Sequence, residues 1–539
     1  MIKTNWFQVG SILLCIFLGF CILASYSPAA WPVPANDPGV YYYIGRGILN
    51  DGLPYRDFWD HKGPVIHYLS AFGLSMIDVS YWGPWMLEFF SIGASVIVGF
   101  FIAMRLFDEL TATLGSLFWL FGFNVLYTGY CVEEFVLPLY FLQMILFFST
   151  GGQPPVFLKL FVIGLLGGIS FLVRPNLISP FLSISLVFVM DAIKFYGQHK
   201  HQDCLSSLRR LIILFFGFII VAVLTILFFV SQGAGREFYR DVFLYNILYS
   251  ANELSRWNTF ILGVKFLWLP FALALLGWLL GMKYLFNAKK QENTLHRNFI
   301  LFALLAFPLE IGLSIISGYL YGHYFISWLP VMSLLIGFGF FYISKTKPQF
   351  LVWKTRLVVV CFSLIGVMII SRNRQSLFLF ANDVVHSGGR FSVDYKRFPE
   401  WSLAERVLEI AGKDRTILFW GNEVQYNFAM NYAAPSRYMY LAPFLIREYV
   451  EQPMVDEFYL DIVSNKPVIV DVRPSTTASL EAPNKWAREY IQLYPVVSYI
   501  YQNYEIVERL DAMPIMNLQG DVQIRMRDEW VIWDYKNEK

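Results

Sequence analysis

The chain has 539 residues, of which 56% are hydrophobic, 18% aromatic and only 15% charged, and its net charge is +2. A typical soluble domain carries about 25% charged residues, so this chain has too little charge to cover a surface exposed to water. The composition excludes a disordered, collagen-like or disulfide-scaffold protein, gives no indication of nucleic-acid binding and favours an integral membrane protein.

Apolar runs along the chain predict about eleven membrane-spanning helices, since one crossing takes roughly 20 residues. The predicted spans lie near residues 7–27, 84–104, 110–128, 134–150, 157–173, 177–193, 211–231, 259–282, 298–317, 323–344 and 357–371. The first span follows Lys3 and precedes Ser27-Pro-Ala-Ala, as a cleaved signal would. Its apolar run exceeds the usual signal length of roughly 7–15 residues, which favours an uncleaved anchor.

Lysine and arginine are concentrated in alternate loops, and this bias predicts the orientation of the chain. The basic loops hold Lys3, Arg105, Lys194, Lys200, Arg209, Arg210, Lys283, Lys289, Lys290, Arg297, Lys345, Lys347, Lys354 and Arg356. We expect these loops and the N-terminus to be cytoplasmic, which places the residues after about 372 outside. The basic residues that break the bias are Arg46, Arg56, Lys62, Arg174, Arg236, Arg240, Arg256 and Lys265. An anionic ligand on the outer face would explain them.

Two predicted outer loops are long, residues 28–83 and 232–257. In the first, Asp37-Pro-Gly is a predicted turn. Residues 40–49 and 64–77 are predicted to form helices that lie along the membrane surface.

The last part of the chain, residues 372–539, is rich in charge and is predicted to be a soluble α/β domain. Predicted helices cover residues 401–411, 446–464 and 484–493, and predicted strands cover 417–420, 468–472, 496–507 and 522–533. The fold class predicted for the whole chain is a polytopic α-helical membrane protein, residues 1–371, with a C-terminal extracytoplasmic α/β domain, residues 372–539.

The first outer loop holds the most informative polar residues. Asp37 follows the first span, Arg46 lies in the first surface helix, and the stretch Tyr55-Arg-Asp-Phe-Trp-Asp60-His61-Lys62-Gly63-Pro64 leads into the second. This order resembles the GT-C glycosyltransferases, especially the bacterial branch that includes protein O-mannosyltransferases and the lipid A aminoarabinose transferase. There, the first outer loop carries an acid near the end of span one and a Lys-Pro-Pro-like motif before a surface helix.

The chain departs from the family pattern at two positions. Gly63 interrupts the Lys-Pro-Pro-like motif, and Pro38 stands where the family has a second acid. Further matches are Glu133-Glu134-Phe135 in the next short outer loop, Arg174-Pro-Asn at the outer end of a span, His323-Tyr324 at the start of a late span, and the stretch from Trp420 to Tyr438.

The resemblance implies the GT-C fold and a sugar donor linked to polyprenyl phosphate. An acceptor lipid, glycan or protein would supply the nucleophile on the outer side, and the transfer would invert the anomeric centre. Asp37 is the candidate base for the acceptor proton. Lys62 is the first candidate for the donor phosphate, joined by Arg174, His323 and Tyr324. Glu133 and Glu134 are candidates for the acceptor or a second acidic site, and Arg46, Tyr55, Asp60 and His61 are further candidates in the loop.

Each of these residues also has a purely structural interpretation. Asp37 could satisfy the backbone donors of a turn, and Lys62 could anchor a surface helix by snorkelling. Glu133 and Glu134 could end a span, Arg174 could be an interfacial stop, and His323 and Tyr324 could belong to an aromatic belt. Arg46 could pair with Asp57 or Asp60 instead of a ligand.

Three further questions stay open at this level. Asp37, Glu133 and Glu134 could hold a divalent cation, and their spacing does not decide it. A transporter or flippase of lipid-linked saccharides would need ionisable groups within the spans, where Glu310 is the main example. An O-antigen ligase or polymerase would use pyrophosphate-linked donors. In every case we expect a protein of the bacterial inner membrane in contact with membrane lipids.

Overall fold

A computed structural model describes residues 6–149, 156–251, 254–287, 294–346, 348–388, 390–398, 401–472, 480, 491–511 and 529–536. The chain divides into two compact units, each assembled from three separate segments. The helical unit comprises Met1–Leu23, Glu88–Phe228 and Asn252–Arg372. The loop–tail unit comprises Ala24–Leu87, Phe229–Ala251 and Asn373–Lys539, so the first two long loops belong with the C-terminal region.

The described secondary structure is mostly helical. In chain order the α-helices are α1 (Trp6–Leu23), α2 (Asn36–Leu49), α3 (Pro64–Met76), α4 (Trp82–Leu106), α5 (Glu109–Leu126), α6 (Val132–Phe148), α7 (Phe157–Val173), α8 (Ser179–Gly197), α9 (His201–Ser231), α10 (Gly235–Phe238), α11 (Tyr245–Ser250), α12 (Arg256–Phe266), α13 (Trp268–Asn287), α14 (Thr294–Ser314), α15 (Leu329–Thr346), α16 (Pro348–His386), α17 (Trp401–Ala411), α18 (Val424–Met430), α19 (Gln452–Asn465) and α20 (Tyr494–Asn503). A π-helical turn at Tyr239–Leu244 joins α10 to α11, and a 3₁₀ segment at Gly322–Trp328 precedes α15.

Within the described ranges, nine helices are long and apolar enough to cross a membrane. They are Trp6–Tyr26, Trp82–Leu106, Glu109–Leu126, Ser179–Gly197, His201–Ser231, Trp268–Phe286, Thr294–Ser314, Gly322–Thr346 and Trp353–His386. The chain is therefore an integral membrane protein, as its composition predicts.

Two short helices account for the difference between the eleven predicted spans and the nine observed within the described ranges, and a third predicted span has different bounds. Helices α6 and α7 match predicted spans but have only 17 residues each. The span predicted at 259–282 is interrupted, because α12 ends at Phe266 and α13 begins at Trp268. Hydropathy detects an apolar stretch, but it does not detect a break in the helix at Leu267.

Small residues allow α7 and α9 to pack closely in the helical unit. Gly164 and Gly168 lie one turn apart on α7, and a Cβ atom at Gly164 would overlap the carbonyl oxygen of Leu214 on α9. A Cβ atom at Gly217 of α9 would in turn overlap the carbonyl oxygen of Phe161. Lipid tails are as apolar as leucine, so helices in a bilayer associate through this kind of close backbone packing.

In the loop–tail unit, α2 and α3 confirm the two helices predicted in the first loop. The predicted turn at Asp37-Pro-Gly is wrong, because these residues form the first turn of α2. Proline is compatible with that position, since the first N–H groups of a helix have no partner within it. Gly39 faces α18 so closely that a Cβ atom there would lie 2.6 Å from the Cα atom of Gln425.

The described residues of the C-terminal region include a four-stranded mixed sheet. Its strands are β1 (Ile417–Trp420), β2 (Val468–Val472), β3 (Tyr504–Asp511) and β4 (Glu529–Tyr535), in the order β1-β2-β4-β3. Strands β1 and β2 are parallel, whereas β4 runs antiparallel to both of its neighbours. The sheet confirms the predicted α/β class and the two strands predicted at 417–420 and 468–472.

Other predicted elements of this region differ from the structure. The helix predicted at 446–464 begins only at Gln452. The strand predicted at 496–507 is wrong in its first part, because α20 occupies it and β3 starts at Tyr504. Val496, Val497 and Ile500 are buried along one side of that helix, so an apolar run there serves helical packing. Residues 484–490 of a predicted helix and 522–528 of a predicted strand lie outside the described residues.

The first loop contributes to the same hydrophobic core as the sheet. Val33 is buried in a cluster with Phe419 of β1, Val470 of β2 and Ile532 of β4, and Trp31 packs against it. The first loop and the C-terminal region are therefore parts of one folded unit, although about 380 residues separate them in the sequence.

Candidate active site

The segment between α2 and α3 carries Lys62 and is fixed by its own side chains. The buried Tyr55 donates a hydrogen bond from its hydroxyl to the carbonyl oxygen of Lys62, at 2.8 Å. Its backbone has a positive φ of 70°, an unusual conformation for a residue other than glycine. Asp57 accepts from the backbone N–H of Leu53 at 2.7 Å and pairs with Arg56. These contacts close the segment into a compact loop.

Asp60 lies at the centre of a buried polar cluster, with only 1% of its surface exposed. Its Oδ1 atom accepts hydrogen bonds of 2.8 Å from the Tyr440 hydroxyl and from the backbone N–H of His61. Its Oδ2 atom lies 3.2 Å from Nε2 of His67 on α3. Burial acts to raise the pKa of Asp60, but the hydrogen bond with His67 and the charges of His67, His61 and Lys62 together hold that pKa well below its usual range.

The ammonium group of Lys62 lies next to this cluster. Its Nζ atom is 3.1 Å from Nε2 of His61, whose Nδ1 atom is 3.4 Å from Oδ1 of Asp60. The His61 ring lies against the ring of Tyr245, with 5.0 Å between their centroids. Lys62 is 8% exposed, so its charge is largely shielded from water. An ammonium group in such surroundings can form a strong charge-assisted hydrogen bond with a phosphate oxygen.

A second buried acid supports the same segment from the second loop. Trp59 donates from Nε1 to the hydroxyl of Tyr449 at 2.9 Å, and that hydroxyl donates to Oδ1 of Asp241 at 2.6 Å. Asn246 donates to the carbonyl oxygen of His61 at 2.7 Å. Burial raises the pKa of Asp241 to about 7, although the charge of Arg437 opposes the shift.

Asp37 and Arg46 lie at opposite ends of α2. Asp37 is exposed in the first turn, where the helix dipole favours a negative charge. Arg46 donates hydrogen bonds of 2.8 Å to the carbonyl oxygen of Phe428 and to Oδ1 of Asn431. Arg46 is therefore bound to the C-terminal region, and its described contacts differ from the pairing with Asp57 or Asp60 that the sequence left open.

In the helical unit, the structure brings Arg174, Glu133, Tyr324 and His323 together. Arg174, directly after α7, forms a close ion pair with Glu133 in the first turn of α6. Its guanidinium lies over the ring of Tyr324, 3.9 Å from the ring centroid. The His323 ring contacts the Tyr324 ring at 4.8 Å between centroids. An arginine between a carboxylate and an aromatic face is held in a defined position.

Glu134 belongs to a neighbouring pair of buried acids. It adjoins Glu88 on α4, and both side chains are at most 1% exposed. Glu88 accepts a hydrogen bond of 3.0 Å from the backbone N–H of Tyr130 in the connection before α6. This pair fixes the start of α6, where Glu133 and Glu134 both lie.

The connection that carries Arg174 is also held by α14. Asn176 donates a hydrogen bond of 3.1 Å to the carbonyl oxygen of Leu313. Ser179, at the start of α8, forms a close hydrogen bond to the buried carboxyl group of Glu310. These two contacts fix both ends of a short segment, and they give Glu310 a structural role.

Several residues of these clusters were not predicted from the sequence. Tyr440, Tyr449 and Asp241 gave no local signal, since each acts through contacts with distant parts of the chain. His67 was missed although it contacts the nearby Asp60. Glu88 did give a signal, because an ionisable residue within an apolar span is by default a candidate for function. Among the described residues, no group of three or more His, Cys, Asp or Glu side chains is arranged to hold a metal ion.

The comparisons with known proteins give a match in structure alone. No family model and no curated sequence matches the chain. The crystal structure of ArnT from Cupriavidus metallidurans bound to undecaprenyl phosphate matches with a TM-score of 0.52 and 14% identity, over 97% of each chain. The apo structure of that ArnT matches with a TM-score of 0.52 and 12% identity, over 97% of this chain and 98% of that one.

Both ArnT matches extend over nearly the whole length of each chain, so the similarity applies to the complete fold. The chain has the GT-C fold. An oligosaccharyltransferase from Archaeoglobus fulgidus is a more distant match, with a TM-score of 0.46 and 11% identity over 94% of this chain and 73% of that one. The two ArnT matches therefore confirm the GT-C fold that the resemblance implied.

The raised pKa of Asp241 predicts how the stability of the chain depends on pH. The carboxyl group binds its proton more tightly when folded than when unfolded, so its contribution to stability is full below about pH 4 and is lost as the pH rises through about 7. We expect the melting temperature of the purified chain to fall between pH 5 and pH 8. In Asp241→Asn, whose amide can still accept from Tyr449, this fall should be smaller.

Melting curves followed by intrinsic fluorescence at several pH values would measure the effect. The control is Asp57→Asn, because the pKa of Asp57 is lowered, chiefly by its hydrogen bond with Arg56, and its titration falls below this pH window. An equally steep pH dependence in wild type and Asp241→Asn would contradict the prediction.

Proposed function

We propose that the chain is a glycosyltransferase that moves a sugar from a polyprenyl-phosphate donor to an acceptor at the extracytoplasmic face of a bacterial inner membrane. The observation that carries the proposal is the fold similarity to an ArnT bound to undecaprenyl phosphate, over nearly the full length of both chains. The acceptor classes that fit are a lipid, a glycan or a protein. The positive-inside bias supports a cytoplasmic N-terminus and an extracytoplasmic C-terminal region.

Lys62 is the proposed contact for the donor phosphate. Its ammonium group is largely shielded from water, and the polar cluster around Asp60 holds it in place. When the bond between the sugar and the phosphate breaks, the negative charge on the leaving phosphate grows. A cation placed in advance stabilises that charge more in the transition state than in the ground state, which accelerates the reaction.

Asp37 is the proposed general base. Asp57 accepts a short hydrogen bond within the loop and Asp60 accepts one from Tyr440, whereas Asp37 is exposed at the start of α2. The acceptor hydroxyl would give its proton to the Asp37 carboxylate as its oxygen bonds to the anomeric carbon. The electron pair of the breaking carbon–oxygen bond would leave with the polyprenyl phosphate, and attack from the opposite side would invert the anomeric centre.

Arg174 is the proposed second cation for the donor phosphate, with His323 and Tyr324 beside it. The Glu133 carboxylate and the Tyr324 ring fix the guanidinium from two sides. The side chain is 12% exposed, so part of it reaches the surface of the helical unit. Glu133 and Glu134 would then form the acidic site proposed for the acceptor.

Mass spectrometry of envelope lipids and glycans, from cells with and without the gene, would test the proposed function. We expect one glycan or lipid class to lack a single sugar when the gene is deleted, because the donor would no longer be used. The mass difference would identify the sugar, and the affected class would identify the acceptor. Identical envelope profiles in the two strains would contradict the proposal.

One observation supports a second candidate function, a flippase of lipid-linked saccharides. The structure buries Glu88, Glu134 and Glu310 within apolar helices, and transporters use ionisable groups at such positions. An assay of sugar transfer by the purified chain in detergent micelles separates the two functions. A flippase moves a lipid from one leaflet of a bilayer to the other, and a micelle has no second leaflet. Only the glycosyltransferase would form product there.

The variant Asp37→Asn tests the proposed base. An amide cannot take the acceptor proton, so we expect kcat to fall about 100-fold or more at saturating donor, while the chain stays folded. The assay is transfer of radiolabelled sugar by the purified chain. Asp51→Asn is the matched control, because Asp51 is an exposed acid just after the same helix, and it should retain wild-type kcat within about twofold. Undiminished transfer by Asp37→Asn would exclude Asp37 as the base.

The variant Lys62→Ala tests the proposed phosphate contact. Loss of one charge-assisted hydrogen bond should raise the Kd for undecaprenyl phosphate about tenfold or more, as measured by isothermal titration calorimetry of the full chain in micelles. Lys62→Arg keeps the positive charge and should restore part of the affinity. Lys413→Ala removes an exposed lysine of the C-terminal region and serves as the control. Equal affinities in wild type and Lys62→Ala would contradict the assignment.

A further inference from the structure

We infer that Tyr440 of the C-terminal region is a positioning residue for the Lys62 segment, and that its hydroxyl group sets the affinity of the chain for a phosphate-bearing lipid. The inference rests on the phosphate contact proposed for Lys62. It goes beyond that contact by assigning a role to the C-terminal region, which supplies this hydroxyl from a position 380 residues away along the chain.

The first step of the argument is the bond between Tyr440 and Asp60. The Tyr440 hydroxyl donates to Oδ1 of Asp60 at 2.8 Å, and both side chains are buried. Burial raises the pKa of Tyr440 well above its usual value, and the charges of Asp60 and Asp37 add to the shift, so this hydroxyl keeps its proton and remains a donor. A hydrogen bond from a neutral donor to a buried carboxylate belongs to the strong class.

The second step connects Asp60 to Lys62. The Oδ1 atom that accepts from Tyr440 also accepts from the backbone N–H of His61, at 2.8 Å, and it lies 3.4 Å from Nδ1 of the His61 ring. The other ring nitrogen of His61 is 3.1 Å from Nζ of Lys62. The position of the Asp60 carboxylate therefore determines both the backbone and the ring next to the lysine.

The third step is that the neighbours of Tyr440 hold the same segment. The Tyr440 ring packs edge-on against Trp59, with 5.4 Å between centroids. Arg437 donates from its guanidinium to the carbonyl oxygen of Tyr55 at 2.8 Å, and its own carbonyl oxygen accepts from the backbone N–H of Trp59 at 2.9 Å. These contacts hold the backbone on the N-terminal side of Asp60, and Tyr440 alone among them reaches the carboxylate.

The conservative variant Tyr440→Phe removes this hydroxyl and keeps the ring against Trp59. We expect faster hydrogen exchange at residues 57–63, by about fivefold, because Asp60 loses one of its donors. We also expect the Kd for undecaprenyl phosphate, measured by calorimetry on the full chain, to rise about fivefold to tenfold. Tyr432→Phe is the matched control, since the Tyr432 hydroxyl bonds to the carbonyl oxygen of Gly412 within the C-terminal region, away from the Lys62 segment.

A double-mutant cycle distinguishes positioning from a general structural effect. If Tyr440 acts through Lys62, Tyr440→Phe has no further effect on the Kd once Lys62→Ala is present. Additive effects would overturn the inference, and so would unchanged exchange at residues 57–63 or an unchanged Kd in Tyr440→Phe. Exchange at β1 reports on the fold of the C-terminal region, and equal acceleration there would also overturn the inference.

The same experiment separates this inference from the proposed function. A wild-type chain that binds undecaprenyl phosphate but transfers no sugar refutes the glycosyltransferase proposal and leaves the inference to be judged by the Kd values and exchange rates. A wild-type chain that does not bind undecaprenyl phosphate refutes the lipid-phosphate role of Lys62 and overturns the inference with it.

Discussion

The buried carboxylate of Asp60 is the group on which the loop–tail unit depends. A buried charge is strongly destabilising unless hydrogen bonds and opposite charges surround it. Here the hydroxyl of Tyr440 and the backbone N–H of His61 donate to one oxygen of Asp60, and the imidazole of His67 on α3 lies 3.2 Å from the other. Each element must keep its position for the acid to remain satisfied, so one side chain joins the first loop, its second helix and the C-terminal region.

This constraint divides the polar residues of the first loop into two groups. Arg46, Asp57 and Asp60 have partners within the fold, and their charges are used in holding it together. Asp37 is exposed at the start of α2, and Lys62 lies at the end of the network with its ammonium against an imidazole. The two first-loop residues proposed for chemistry are thus an exposed acid and a lysine that a preorganised polar network supports.

The sequence predicts the parts of this protein that depend on local pattern. Hydropathy finds the apolar helices, and α2 and α3 lie where two helices are predicted in the first loop. Local sequence pattern does not predict the partner of Arg46 or of Asp60, because Phe428 and Tyr440 lie 382 and 380 residues further along the chain. The strand predicted at 496–507 fails for a related reason, since a short apolar run fits a buried helix as well as a buried strand.

A lysine on an isolated loop would be a poor phosphate ligand, because binding would have to order both its long side chain and the backbone that carries it. That ordering opposes affinity by about 1 kcal/mol or more for each flexible residue. In this chain the ordering takes place during folding, through Tyr55 inside the loop, Asn246 from the second loop and Tyr440 from the C-terminal region. With Lys62 as the proposed phosphate contact, a C-terminal region far from the lysine in sequence would govern ligand affinity through Tyr440 without touching the ligand.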